Sequence, residues 1–100
     1  MVVRRRYLVA YDIRDARRLR SVHKLLKANG YPVQYSVFVC DLTRSEKIAF
    51  RWDLGEVVDH GSDSVVLVDL GEIGPAAAAR FECVGVPIRV ADGSGGAKIV

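Results

Sequence analysis

Asp12 is the residue of this sequence most suggestive of chemistry. It closes a short apolar run, Tyr7 to Tyr11, and stands just before an arginine-rich segment. A carboxylate at a strand end, next to a helix N-terminus, is a common setting for polar function. One aspartate alone holds Mg²⁺ poorly. That ion takes octahedral oxygen ligands and keeps several waters, with one or two protein carboxylates. A twofold dimer whose axis passes near the strand ends would supply a second Asp12. The metal would then activate water or polarise a phosphodiester. The plainer alternative is that Asp12 caps a turn or pairs with Arg14.

The second feature is a row of cations. Arg17, Arg20, Lys24 and Lys27 recur at helical spacing and make one basic stripe, with Arg18 beside it over the first turn. The net charge is only +3, but it is unevenly spread. Through residue 40 there are nine basic residues and two acids; from Asp41 to Glu82 there are four basic residues and nine acids. Such a field suits a polyanion better than a small neutral ligand. The competing reading is a solvated basic helix face.

No strong enzyme motif stands out: the sequence has no GxxxxGK, no HExxH and no zinc-ligand spacing. His23 and His60 read as surface or packing residues. Cys40 and Cys83 form no C-x-x-C pair and read as buried, reduced thiols in strand-like surroundings. The start of the chain does not resemble a secretory signal, and no run approaches a membrane span. The expectation is a cytoplasmic protein with no membrane partner.

Elements must position these residues. At 100 residues the chain suits one domain with a modest core. Residues 6–12 read as a strand. Asp15 caps a helix from about Ala16 to Asn29, with Ala16, Leu19, Val22 and Leu26 as its core stripe and Gly30 as its stop. Val33 to Leu42 alternates as a strand long enough to count as one or two. Thr43-Arg44-Ser45-Glu46 is a capping box opening a helix to about His60, with Phe50, Leu54, Val57 and Val58 inward and Gly61 as the stop. Ser64 to Leu70 is nearly continuously apolar, the pattern of a sheet centre. Pro75 and four alanines suggest a helical turn or two. Phe81 to Ile88 reads as a weak edge strand, broken by Gly85 and Pro87. Residues 92–96 read as a glycine-rich linker before a short apolar end, Ala97 to Val100. The boundary therefore falls between a domain over 1–91 and a terminal segment over 92–100. The fold class is α+β, two helices on one face of a mainly antiparallel sheet. The other face needs a cover, and a second copy of the same surface is the simplest.

Tyr11-Asp12-Ile13, then Arg18, Arg20 and Val22, then Gly30, then Gln34-Tyr35-Ser36-Val37-Phe38, and finally Asp63-Ser64-Val65 resemble the second of the widespread CRISPR-associated proteins. The match runs from about Tyr7 to Leu70. The resemblance implies a ferredoxin-like fold and a homodimer. It implies a metal-binding aspartate at Asp12, functional arginines at Arg18 and Arg20, and a functional phenylalanine at Phe38. It implies Mg²⁺-dependent endonuclease activity on RNA or DNA, and a scaffolding role beside the integrase subunit that inserts spacer DNA into the CRISPR array. In several members that scaffold role does not need the aspartate. The chain departs from the pattern at Leu19, where many relatives carry a further basic residue, and from Gly71 onward. The family's C-terminal strand often crosses to a second protomer; the counterpart here, Ala97 to Val100, is short.

Three readings follow. One is a metal-dependent endonuclease centred on paired Asp12, with Arg18, Arg20 and Phe38 in the catalytic set and Arg14, Arg17, Arg20, Lys24 and Lys27 on nucleic acid. The second is a non-catalytic, nucleic-acid-binding dimeric scaffold. The third is a ferredoxin-like regulatory or small-molecule-binding domain, which the basic stripe argues against.

Overall fold

A computed structural model describes residues 2–92 and 97–99. The first strand, β1 (Arg5–Asp12), leads into helix α1 (Ala16–Asn29). Asp15 caps α1: its carboxylate accepts the Arg18 N–H at 3.0 Å. Two strands follow, β2 (Gly30–Gln34) and β3 (Val37–Leu42), so the long alternating segment is a hairpin. Its tip is Tyr35-Ser36, and Ser36 has φ 64°, a left-handed conformation unusual for a residue with a side chain.

Helix α2 (Arg44–Val57) opens on the expected capping box, with Thr43 Oγ1 accepting the Glu46 N–H and Glu46 accepting the Thr43 N–H. It ends three residues earlier than the sequence suggests. His60 Nε2 folds back onto the Gly55 carbonyl at 2.8 Å, and Asp59 turns the chain by accepting the Gly61 N–H. These bonds replace another helical turn. Strand β4 (Ser64–Glu72) and a short helix α3 (Pro75–Ala78) complete the main run.

All strand pairs in the four-stranded sheet are antiparallel, in the order β2-β3-β1-β4. This βαββαβ arrangement is ferredoxin-like. Tyr7, Val9, Phe38, Cys40 and Leu42 of the sheet meet Val22 and Leu26 of α1 and Phe50 and Leu54 of α2 in one buried cluster. Val57 and Val58 pack against it, as does Leu25. Leu19 is half-buried and Ala16 is exposed, so the inward stripe of α1 starts a turn later than expected. Burial pushes the Cys40 thiol up to about 12, which leaves it unreactive. Cys83 is only partly buried, in irregular chain, and is not the strand-bound thiol expected.

Strand β4 is an edge strand, not a central one. Its apolar run has two separate causes. Val65 and Leu67 pack toward the helices, while Val66 and Val68 lie on the other face, 51% and 43% exposed. A strand apolar on both faces reads as central when one of those faces is simply open.

Part of that second face is covered by the chain itself. Arg6 and Val39 lie on it and are fully buried, as are Ala77, Ala78 and Val90 from the later segment. The Ala91 N–H donates to the Tyr31 hydroxyl at 3.0 Å. Arg6 is held there by Asp41, Nε to Oδ1 at 2.8 Å and Nη2 to Oδ2 at 3.0 Å. The strand expected over Phe81–Ile88 is irregular instead. Gly85 has φ 93°, and Pro87 offers no N–H to a ladder. The strand falls later, as β5 (Arg89–Ala91), pairing antiparallel with β6 (Ala97–Ile99) in a separate two-stranded sheet. Most of the expected glycine-rich linker, 93–96, and Val100 lie outside the described residues.

Candidate nucleic-acid site

Asp12 ends β1 opposite Ser64 of β4 and is 65% exposed. Strand alternation puts it on the same sheet face as Leu8 and Ala10, whose register partners are Val68 and Val66. Its carboxylate meets the Arg14 guanidinium at 3.1 Å, and Arg14 is 66% exposed. The plainer expectation for Asp12, a pair with Arg14, is therefore present. An exposed pair of this kind contributes about 0–1 kcal/mol and yields readily to a stronger ligand.

Arg18 has a different environment. Its Nε donates to Asp63 Oδ2 at 2.7 Å, and its Nη2 to Oδ1 at 3.2 Å. The Asp63 side chain is wholly shielded from solvent and also accepts the N–H groups of Arg14 and Asp59. The Arg18 guanidinium, followed by these N–H groups, holds the Asp63 carboxyl well below the usual carboxylate range. Arg18 thus ties the start of α1 to the loop before β4.

Phe38 is buried, 3% exposed. Its ring lies 6.3 Å from Tyr11 and 5.9 Å from His23. The Tyr11 hydroxyl and His23 Nε2 are 2.6 Å apart, with their rings edge to face. Phe38 thus packs behind these two rings and borders, with them, the hollow beside the hairpin tip. His23, read from sequence as a surface or packing residue, is a packing one: it stands four residues after Leu19 and three before Leu26, the spacing of an inward position.

Arg17, Arg20, Lys24 and Lys27 are all exposed on α1. None of the four forms a salt bridge among the described residues, so their charge is free for an external anion. Among the described residues there is no group of three or more His, Cys, Asp or Glu side chains able to hold a metal ion. At the end of β1 one chain thus offers the exposed Asp12 carboxylate without a cluster of further ligands around it. That donor suits Mg²⁺ only as part of a larger set completed by a second copy, water and phosphate oxygens. Among the described residues no helix is long and apolar enough to cross a membrane.

Fold and site together define a small ferredoxin-like protein with an exposed carboxylate at the end of its first strand and a cationic first helix. Residues 5–74 match the family CRISPR associated protein Cas2, and the chain belongs to that family. A Rhodospirillum rubrum protein named CRISPR-associated endoribonuclease Cas2 1 is 45% identical over 65 residues, covering 65% of this chain and 64% of that protein. The chain thus spans a little under two thirds of that relative's length. CRISPR-associated endoribonuclease Cas2 of Geobacter sulfurreducens is 42% identical over 65% of this chain and 68% of its own. Crystalline Streptococcus pyogenes Cas2 superposes with a TM-score of 0.68 and 32% identity, over 80% of this chain and 99% of that one.

Proposed function

We propose that this protein is a Mg²⁺-dependent endonuclease of the cytoplasm, working as a homodimer beside the CRISPR integrase subunit during spacer acquisition. One observation carries the reading: Asp12 shares a sheet face with Leu8, Ala10, Val66 and Val68, the last two half exposed. A second copy laid over that open apolar row brings two Asp12 carboxylates toward one another. Mg²⁺ bound there would supply charge neutralisation and a more acidic bound water. The chain's own residues do the rest. Arg17, Arg20, Lys24 and Lys27 hold the phosphate backbone of DNA, with RNA as a second substrate class. Arg14 gives up its contact with Asp12 and turns to a phosphate. Arg18 keeps the strand ends fixed through Asp63, and Phe38 supports Tyr11 and His23 beside them.

A second reading is a non-catalytic scaffold that binds nucleic acid as a dimer. It is favoured by the stripe on α1, whose cations need no help from Asp12, and by the Arg14 contact that already neutralises the carboxylate. Labelled RNA and DNA incubated with the protein, with and without Mg²⁺, separate the two. For the endonuclease, Asp12→Asn stays folded and still binds, but cleavage falls by orders of magnitude, because symmetry removes both carboxylates. Undiminished cleavage by Asp12→Asn would dismiss the paired-aspartate site. Wild-type protein that binds but never cuts would leave the scaffold.

A further inference from the structure

The hairpin tip β2–β3 and helix α1 border an open concavity of about 420 Å³, to which the reading above assigns no ligand. Its walls include Tyr11, His23, Lys27, Gln34, Tyr35 and Phe38. A smaller hollow, about 180 Å³, shares Tyr11, His23 and Tyr35 with it and reaches Asp12. The volume is that of an ordinary small-ligand site.

The chemistry of the walls is specific. Tyr35 is 95% exposed, so its ring is open to a stacking partner. It stands at the tip of the β2–β3 hairpin, where the left-handed Ser36 turns the chain. The floor is aromatic: Tyr11, His23 and Phe38 lie ring to ring. Gln34 brings an amide that can both donate and accept, which suits a base edge. Lys27 lines the wall and belongs to the cationic stripe of α1, so the hollow opens beside the proposed phosphate track.

We propose that this concavity is a nucleobase subsite, taking one unstacked base from a single strand of nucleic acid. The base stacks on Tyr35, Gln34 reads its edge, and Lys27 meets the adjoining phosphate. The shared wall with the smaller hollow directs the next backbone position toward Asp12. A base inside a duplex is not available for such stacking, so the site selects single strands. This deepens the nucleic-acid reading above and rests on it.

The test is equilibrium binding in EDTA, so that no strand is cut. The probes are a short uridine homopolymer and the same strand annealed to its complement. Tyr35→Ala, an exposed change, is expected to weaken single-strand binding by about five- to 150-fold, the range for loss of one base–aromatic stack. Tyr35→Phe keeps the ring and should bind as wild type. Duplex binding should be unchanged by either. Tyr35→Ala that binds the single strand normally, or loses both probes equally, overturns the subsite while leaving the nucleic-acid reading intact. A Tyr35→Phe loss as large as that of alanine overturns stacking. Wild-type protein that binds neither probe overturns the subsite, and the nucleic-acid reading falls with it only if duplex DNA is not bound either.

Discussion

Arg18 and Asp63 form a bidentate ion pair, with Nε to Oδ2 at 2.7 Å and Nη2 to Oδ1 at 3.2 Å. The pair joins the first turn of α1 to the loop that delivers β4, and so fixes the strand ends around Asp12. Arg18→Ala leaves the shielded Asp63 carboxylate without its guanidinium and should lower the melting temperature by several degrees. Arg18→Ala and Asp63→Asn combined should lose less than the sum of the two, because they break one interaction. Thermal unfolding of the four proteins measures the coupling. Additive losses would show the pair to be energetically idle.

The same pair sets an acid dependence. Asp63 has a lowered carboxyl pKa in the folded state, so its contribution is complete above the ordinary aspartate value of 3.8 and is lost as pH falls below it. Asp15, Glu46 and Asp69 are lowered in the same direction, by the Arg18 N–H, the Thr43 N–H and the Arg5 guanidinium respectively. Stability should therefore drop on the acid side of about pH 4. Asp63→Asn should flatten that decline, and denaturant unfolding at stepped pH reads it directly. An equally steep acid limb in Asp63→Asn would remove Asp63 as a contributor.

Gly30→Ala tests a close approach. Gly30 pairs with Cys40 across the β2–β3 ladder, and a Cβ there would stand 2.1 Å from the Val39 carbonyl oxygen and 2.7 Å from Cys40 Sγ. Its φ of −171° is ordinary extended backbone, so only space is at issue. The strands must part, at a cost of about 1–3 kcal/mol. Denaturant melts would show it as a fall in the midpoint. A variant as stable as wild type would mean the hairpin separates freely.

The open sheet face should bury itself in a dimer. Light scattering after size exclusion is expected to give twice the 11.0 kDa chain mass at micromolar concentration. Val68→Asp puts a charge at the middle of that row and should shift the mass toward the monomer without unfolding the half-exposed position. A wild-type monomer would dismiss both the dimer and the paired Asp12 site.

Phosphate contact by α1 predicts a salt signature. The affinity for duplex DNA should fall on a log–log plot with a slope of roughly −0.9 for each phosphate neutralised. Replacing Arg20 and Lys24 with alanine should reduce the slope's magnitude by about two. A slope unmoved by the double substitution would put the nucleic acid on another surface.

Local chemistry was legible in the sequence. The α1 boundaries, its Asp15 cap, the Thr43–Glu46 capping box and the exposed Arg17-Arg20-Lys24-Lys27 row all follow from interactions within a few residues. The tertiary structure decided whatever depends on a distant neighbour. An apolar strand looks the same whether its second face is covered or open, so only the placement of β1 between β3 and β4 put Ser64–Glu72 at an edge. The partner of Arg14 stands two residues away and was legible, whereas Arg18 meets Asp63 across the fold, which no local pattern shows. Gly30 looked like a helix stop, yet its space is set by Val39 in another strand. The rings of Tyr11, His23 and Phe38 come from β1, α1 and β3, and they meet only because the sheet and the helix pack together. Periodicity and capping are properties of one segment; a site is a property of the segments' contacts.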